Sequence, residues 1–311
     1  MAEITLAAVA AHFGRDISRA MPKIAGIIAD ARAQGVDLLV FPDATLGGYL
    51  ASLASPDPSE LPPPVEIDGP EIRQIIEWAG DMVVCLAFTE EVRVADAAPP
   101  GGGPGATGGG PGATGGGPGA PDARQRFNTS VCLDSTGVLG VHRKVHQPLG
   151  ESLVYDHGDS FTAFDTPVGR LGMLIDYDKT FPEAARSLAL DGAEIIACLS
   201  AWPASTTNRA ERLPQDRQSR LFDLYDCARA AENQLFLVSS NQTGVMGGLR
   251  FLGQAKVVGP GGDVLAKTWN KGALAVARID VQHEVARARR RLHHLHERAT
   301  TAYHPGIVGR A

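Results

Sequence analysis

The sequence predicts an α/β fold, and two observations support this prediction. Eight short runs rich in Val, Ile and Leu each precede a sharp turn. Amphipathic helical patterns lie between several of these runs. Strands that are continuously apolar are buried on both faces and therefore need covering layers of helices. The alternation of the two patterns is typical of an α/β domain, and we expect residues 1–311 to form a single one.

The predicted strands share a short and mostly uninterrupted apolar sequence. In chain order they run from Ile4 to Ala10, Leu38 to Phe41, Met82 to Phe88, Ser130 to Leu133, Gly172 to Ile175, Glu194 to Leu199, Leu235 to Ser239 and Ala255 to Val258. A further strand is indicated near Val138 to Val141. The segment Gly259 to Asp263 has strand patterns on both sides, so we predict a hairpin turn there.

Four helices are predicted between the strands. They run from Ile17 to Gln34 (with Pro22 inside), Pro70 to Ala79, Pro182 to Asp191 and Asp216 to Asn233. Proline is favoured at the first position of a helix, which fits Pro182. The last helix is expected to bury one apolar stripe, formed by Leu221, Leu224, Tyr225, Ala228 and Ala231.

Residues 97–123 differ from the rest of the chain in composition. They repeat Gly-Gly-Gly-Pro-Gly-Ala with a period of seven residues. The repeat lacks the Gly-X-Y triplet of collagen and has little apolar content to offset the entropy of ordering. We expect a disordered surface loop inserted between two strands, with a substrate lid as the functional alternative. Because the strand pattern continues on both sides, the loop is not expected to divide two domains.

The overall composition excludes some classes of protein. Acidic residues exceed basic ones by 35 to 29, a net charge of −6, which disfavours a nucleic-acid partner. The start of the chain carries Glu3 where a signal peptide would have basic residues, and no apolar run approaches the 18 residues of a membrane span. The four cysteines lie apart in apolar runs, so we expect free thiols and a cytoplasmic location; they are Cys85, Cys132, Cys198 and Cys227.

Three strand ends each carry polar residues that could share one pocket. Asp43 follows the strand that stops at Phe41-Pro42. Lys144 and Glu151 follow the strand near Val141, and Asp176 ends the apolar strand before Pro182. In open α/β folds, ligands bind outside such strand ends. Taken singly, the aspartates also fit solvated turn residues and the lysine a surface lysine.

With these and later motifs, the chain resembles the carbon–nitrogen hydrolase superfamily, which includes nitrilases, aliphatic amidases and N-carbamoyl amino-acid amidohydrolases. The motifs occur together in the family's order over nearly the whole chain, apart from the Gly/Pro insert. They are Phe41-Pro42, His142-Arg143-Lys144, Asp176-Tyr177-Asp178 before Phe181-Pro182-Glu183, Ser200-Ala201-Trp202-Pro203, Arg229 to Asn233, Asn241 to Gly244 and Gly259 to Asp263.

The resemblance implies a four-layer αββα sandwich, a small-molecule substrate and no organic cofactor, in a homodimer or larger homo-oligomer. From the composition and the residues we also expect no nucleic-acid or membrane partner and no bound metal. The resemblance also implies a catalytic Glu base, an oxyanion-stabilising Lys, a Cys nucleophile and a second Glu. Lys144 and Glu151 match the Lys and the second Glu, whereas Asp43 stands at the base position and Asp176 at the nucleophile position. Candidate walls of the pocket are residues 200–204 with Tyr49, Tyr177 and Trp202.

The two aspartates change the expected chemistry. A carboxylate is a poor nucleophile toward amides, so thioester-type catalysis at position 176 is excluded if this alignment holds. Asp43 is one methylene shorter than Glu, which withdraws its carboxylate by about 1 Å, enough to cost about a hundredfold in rate. Three carboxyl groups around Lys144 should titrate as a coupled system, with at least one of them protonated at neutral pH unless a ligand cation enters.

Four interpretations remain open at this point. The protein could hydrolyse carbon–nitrogen bonds with Asp43 or Asp176 as general base on water and Lys144 stabilising the oxyanion. It could be an inactive family member that serves as a binding or scaffold subunit. The carboxylates of Asp43, Asp176, Asp178 and Glu151 could bind a divalent cation, against which Lys144 argues. Finally, Asp176 could be an engineered replacement for Cys, made to trap a ligand.

Other polar residues have simpler explanations. Asp178 is expected to bind backbone groups in its turn, Glu183 to lie at the N-terminus of a helix, and Asn241 to bond the neighbouring loop. His293, His294 and His296 lack the i, i+4 spacing of two metal ligands on one helix face. With three adjacent arginines, they indicate a solvated or dimer-contacting helix over residues 289–298.

Overall fold

The computed structural model describes residues 3–93, 124–269 and 272–304, so the predicted loop at 97–123 lies outside the described residues. The strands are β1 (Ile4–Ala11), β2 (Leu38–Val40), β3 (Val83–Arg93), β4 (Arg124–Asp134), β5 (Gly137–Arg143), β6 (Phe164–Thr166), β7 (Gly169–Ile175), β8 (Ile195–Leu199), β9 (Phe236–Ser239), β10 (Asn241–Gln242), β11 (Val245–Met246), β12 (Leu249–Arg250), β13 (Ala255–Val258), β14 (Val264–Thr268) and β15 (Ala273–Ile279). The helices are α1 (Ile17–Ala33), α2 (Pro70–Ala79), α3 (Pro182–Leu190), α4 (Arg217–Asn233) and α5 (Val281–Arg289). None of these helices is both long and apolar enough to cross a membrane.

The main strands form two mixed sheets. In the first, the order is β10-β1-β2-β3-β4-β5, and β15 pairs with β1 in antiparallel orientation from Ile4–Ile279 to Ala10–Ala273. In the second, the order is β14-β13-β9-β8-β7-β6, with β7, β8 and β9 parallel to one another. The turn predicted at Gly259 to Asp263 joins the antiparallel strands β13 and β14, which confirms the hairpin.

Side chains alternate along these strands between two apolar layers. On β1, Leu6 and Ala8 point toward the second sheet and pack in one cluster with Leu171 and Met173 of β7. Ala7 and Val9 point the other way and belong to the cluster that includes the buried residues of α1 and α2. The outer face of the second sheet packs on α3 and α4. The layers are therefore helix, sheet, sheet and helix, which confirms the αββα sandwich.

The predicted apolar stripe of α4 is wrong. Leu224 is 59% exposed, whereas Phe222, Asp226 and Ala230 face the interior. Asp226 accepts hydrogen bonds from two fully buried lysines, Lys179 at 2.8 Å and Lys256 at 2.7 Å. Charge pairs thus hold much of this helix against the sheet, and apolar periodicity does not mark a buried face of that kind.

The helix predicted over residues 289–298 is also wrong, because α5 ends at Arg289. The side-chain amide of Gln234 donates to the carbonyl oxygens of Ala288 at 2.9 Å and Leu292 at 2.7 Å. The bond to Ala288 satisfies a carbonyl group in the last turn of α5, and the bond to Leu292 holds the segment that follows the helix. The rings of His293 and His296 stack 3.7 Å apart in the turns that follow.

Candidate active site

The structure brings the four predicted site residues together from four chain segments. Asp43 follows β2, and Lys144 directly follows β5. Glu151 lies in the 3-10 helix Leu149–Leu153, and Asp176 directly follows β7. Asp43, Lys144 and Glu151 are fully buried, and Asp176 is 4% exposed. The groups are therefore withdrawn from bulk water. In the low dielectric of the protein interior, the electrostatic interactions between them are strong.

Lys144 is bound most closely by Glu151. Its Nζ atom donates to Oε2 at 2.7 Å and to Oε1 at 2.9 Å, and the hydroxyl of Tyr49 also donates to Oε1. Burial alone lowers the pKa of a lysine, but the charges of Glu151, Asp176 and Asp43 outweigh it and hold the pKa of Lys144 well above its ordinary value. The ammonium group therefore stays protonated at every physiological pH.

Asp176 lies between Lys144 and the backbone of the next strand end. Its Oδ2 atom is 3.8 Å from Nζ of Lys144, and its Oδ1 accepts from the backbone N–H of Ala201 at 3.2 Å. Its φ of 48° is in the left-handed region, which Asp tolerates better than most residues. Burial raises the pKa of Asp176, and the charges of Lys144 and Lys179 oppose this.

Asp43 is held in place by its backbone and by one oxygen of its side chain. Its N–H donates to the carbonyl of Ser200 at 3.3 Å, and Oδ2 accepts from Asn128 Nδ2 at 3.1 Å. The buried Oδ1 atom has no hydrogen-bond partner among the described residues. Burial raises the pKa of Asp43 to about 7, helped by the charges of Asp176 and Glu151 and opposed by Lys144 and Asn128.

All three carboxyl groups of the site therefore have raised pKa values. For Glu151, as for the aspartates, burial is the largest cause, and Lys144 is the largest opposing one. A single ammonium group cannot fully stabilise three buried anions. The site accordingly carries a shortage of positive charge, and its protonation states are coupled.

Asp178 has the structural role that we predicted. Its Oδ1 accepts from the N–H of His146 at 2.9 Å, and its Oδ2 bonds the ring of His142 at 3.0 Å and the N–H of Ile175 at 3.2 Å. Although burial raises the pKa of Asp178, these hydrogen bonds outweigh it and hold that pKa well below its ordinary value. The bonds fix the Lys144 segment against the Asp176 turn. In the described part of the chain, no cluster of three or more His, Cys, Asp or Glu side chains could hold a metal ion.

A cavity of about 700 Å³ opens at Asp176. Tyr177 and Trp202, two of the candidate wall residues, also line it. The backbone N–H of Trp202 donates to Asn241 Oδ1 at 2.9 Å, the bond to a neighbouring loop expected of Asn241. Asp43, Lys144 and Glu151 do not line the cavity.

Tyr49 is placed differently from the predicted wall position. It is 2% exposed and does not line the cavity, and its hydroxyl donates a hydrogen bond to Glu151. Two further residues were not predicted: Asn128, which contacts the Asp43 carboxyl, and Gln242, whose Nε2 donates to the carbonyl of Asp43 at 2.8 Å. In the sequence, the signal for Gln242 was its position in the motif Asn241 to Gly244, whereas Asn128 had only its place just before the predicted strand Ser130 to Leu133.

Comparisons with known proteins identify the family and support the fold. The carbon–nitrogen hydrolase family model matches residues 5–291. A probable nitrilase of Schizosaccharomyces pombe is 35% identical over 140 residues, 45% of this chain and 47% of that protein, so the match spans about half of its length. An (R)-stereoselective amidase of Pseudomonas sp. is 28% identical over 91% of this chain and 85% of its own. The structure of a carbon–nitrogen hydrolase from Helicobacter pylori G27 superposes with a TM-score of 0.77 at 23% identity, covering 99% of both chains, and supports the fold.

Proposed function

Since the chain belongs to the carbon–nitrogen hydrolase family, we propose that it hydrolyses a carbon–nitrogen bond of a small amide, nitrile or carbamoyl compound. The site would work without a Cys nucleophile, through Asp43, Lys144 and Asp176. One observation carries this proposal: Asp43 is fully buried beside Lys144, its Oδ1 is free of hydrogen bonds within the described residues, and its pKa is raised to about 7. The names of two relatives, a probable nitrilase and an amidase, support the substrate classes.

Asp43 is the proposed general base. A base is most effective when its pKa lies near the working pH, because it is then both deprotonated and able to accept a proton. A pKa of about 7 meets this condition, whereas an ordinary Asp would be a much weaker base. The unpartnered Oδ1 can accept a proton from a water molecule that attacks the carbon of an amide or carbamoyl substrate. The protonated carboxyl group then returns this proton to the substrate nitrogen as the carbon–nitrogen bond breaks, which releases ammonia or an amine.

Lys144 is the proposed oxyanion-stabilising group. The attack of water on an amide or carbamoyl carbon places negative charge on the former carbonyl oxygen, and a buried ammonium stabilises that charge strongly. Glu151 holds the ammonium with two hydrogen bonds, and Tyr49 in turn holds Glu151. Glu151 is thus proposed to orient Lys144 without contacting substrate.

Asp176 stands where the family has a nucleophile but is not proposed to act as one, because attack by a carboxylate would form a high-energy anhydride. It lies at the cavity floor between Lys144 and the open space, where it can bind a donor group of the substrate. Tyr177 and Trp202 are proposed to contact the rest of the substrate.

The assembly and location are also proposals. Exposed leucines on two helices of the outer layer, Leu190 of α3 and Leu224 of α4, support a homodimer or larger homo-oligomer. The four free cysteines support a cytoplasmic location. Light scattering coupled to size-exclusion chromatography would test the assembly, with Leu190→Glu/Leu224→Glu expected to weaken it.

The activity can be tested by measuring ammonia release from a panel of small amides, nitriles, ureas and carbamoyl amino acids. At least one member should react above background, and Lys144→Ala should abolish the reaction. Lys267→Ala, which removes an exposed lysine on β14, is the matched control and should retain it. Activity that survives Lys144→Ala would contradict the proposed site.

Ligand binding without turnover is a second candidate function. It is favoured by the observation that only Asp176 of the four site residues lines the cavity. Hydrolysis requires the substrate carbonyl to reach Lys144 past this carboxyl group, whereas binding does not. Thermal stabilisation by panel members, with no ammonia release from any of them, would favour this second function.

A further inference from the structure

We propose that the cavity at Asp176 binds an organic cation with an apolar body, such as an aryl or alkyl amidinium or ammonium, whose positive charge pairs with the carboxylate of Asp176. This inference deepens the proposed function by naming the substrate class of the same site. It concerns binding alone, so it can be tested whether or not the bound molecule is hydrolysed.

The first argument is the balance of charge around Asp176. Asp43, Glu151 and Asp176 surround one ammonium group, that of Lys144. The ammonium makes its two short contacts, 2.7 and 2.9 Å, with Glu151 and lies 3.8 Å from Asp176. Asp176 therefore interacts with Lys144 more weakly than Glu151 does, and Asp176 is the one of the two that lines the cavity.

The charge of Lys179 offsets part of this shortage, but neither it nor the nearby histidines bond Asp176 directly among the described residues. Lys179 lies three residues after Asp176, but its Nζ donates to Asp226 at 2.8 Å. The imidazole rings of His142 and His146 bond Asp178 at 3.0 and 2.9 Å. Lys179 shares Asp226 with Lys256, and the two histidines share Asp178, so the hydrogen bonds of all three groups go to carboxylates other than Asp176.

The second argument is the unsatisfied oxygen of Asp43. Its Oδ1 atom is buried and lacks a hydrogen-bond partner within the described residues, although its carboxyl group interacts with Asp176 and Lys144. A buried polar atom in this state costs free energy until a donor reaches it. A cation that brings positive charge to Asp176 would lower the cost of ionising both aspartates.

The walls of the cavity determine the rest of the ligand. Trp202 and Tyr177 offer aromatic surfaces, and Leu53, Leu149 and Leu249 offer aliphatic ones. Aromatic faces attract organic cations, and a cavity of about 700 Å³ is in the range that holds a small organic molecule. An anionic ligand would be repelled by Asp176, so carbamoyl compounds with a free carboxylate should bind worse than those with an amine.

Three probes of nearly the same shape test this proposal: benzamidinium, benzamide and benzoate, which carry positive, zero and negative charge. Isothermal titration calorimetry at pH 7.5 should give at least tenfold tighter binding for benzamidinium than for benzamide, and no detectable binding for benzoate. Asp176→Asn should reduce the affinity for benzamidinium to that for benzamide. Asp68→Asn, an exposed site away from the cavity lining, is the matched control and should leave the preference unchanged.

Two results would overturn the inference: equal binding of benzamidinium and benzamide by the unaltered protein, or an undiminished cation preference in Asp176→Asn. The first comparison needs no variant, so it decides the question even if Asp176→Asn does not fold. The proposed hydrolysis is tested independently of this inference. Turnover of neutral amides without cation binding would refute only this inference, and cation binding without any turnover would refute only the hydrolase function.

Discussion

Asp43→Asn should increase stability while it strongly lowers the proposed activity. The substitution removes an ionisable group and keeps its shape, including an oxygen that can accept from Asn128. Burial, Asp176 and Glu151 raise the pKa of Asp43 from 3.8 to about 7 in the folded protein, against the opposing effects of Lys144 and Asn128. An acid with a higher pKa in the folded state binds its proton more tightly when folded. The native carboxyl therefore costs nothing below pH 3.8, destabilises the fold increasingly as the pH rises toward 7, and reaches its full cost above that.

The size of the effect follows from the shift in pKa. A rise from 3.8 to about 7 corresponds to a cost of about 4 kcal/mol at pH 8, and the asparagine avoids this cost. The variant should gain up to that amount at pH 8 and close to nothing at pH 4. Loss of a general base should meanwhile lower kcat/KM by about 100- to 10,000-fold. If the proposed hydrolysis holds, kcat/KM of the unaltered protein for a neutral substrate should rise about tenfold between pH 6 and pH 8 as Asp43 ionises.

Urea unfolding at pH 4, 6 and 8, with ammonia release measured at the same pH values, checks both effects. Asp68→Asn serves as the control, since its exposed carboxyl should give a small change that does not depend on pH in this way. A gain that is the same at every pH, or a loss of stability at pH 8, would refute the argument that Asp43 is ionised at a cost in a buried site. Retained activity would refute its role as base.

Three further variants test the neighbouring groups. Lys144→Met should destabilise the fold by about 3–5 kcal/mol in urea unfolding, because it leaves the buried Glu151 unpaired, and adding Glu151→Gln should recover part of this; no recovery would mean that the two side chains do not act as a pair. Asp178→Asn should lower the unfolding midpoint more at pH 7 than at pH 3, because the pKa of Asp178 is held well below its ordinary value; an equal loss at both pH values would contradict that cause. Asp176→Cys/Asp43→Glu should release ammonia from simple amides above the unaltered protein, and a silent variant would show that the pocket has changed as well.

The inner strands were predictable because they are buried on both faces. The apolar runs at β1, β8, β9 and β13 were located to within one residue at each end from composition alone. The strand β15 was not predicted. Its burial is uneven along its length, and its partner is β1, so Ile279 meets Ile4 only through a pairing that no local pattern encodes.

The inner face of α4 could not be predicted for a different reason. Its position depends on Asp226, which pairs with Lys179 and Lys256 from other elements. In sequence such a residue looks like one on a solvated face, because charged residues are buried only where partners meet them. A buried helix face that is held by charge pairs therefore cannot be predicted from the spacing of apolar residues.

The candidate site shows the same limit. The types of residue and their strand ends could be read from the sequence, and the structure places all four side chains in one cluster. Spacing along the chain does not set the direction of a side chain, however. Sequence alone therefore placed Tyr49 on the cavity wall, whereas its hydroxyl is directed at Glu151.

The two unusual aspartates are best understood as one change. Compared with the Cys expected from the family, Asp176 adds a carboxylate that reaches to 3.8 Å from Lys144. The charge of Asp176 already raises the pKa of Asp43, so a Glu at position 43, with a carboxylate that reaches about 1 Å further, would extend a second anion into a site that already has excess negative charge. In the proposed function, the shorter Asp43 relieves that repulsion and still serves as the base. The proposed arrangement then leaves excess negative charge at the cavity floor, which is what the proposed cationic ligand requires.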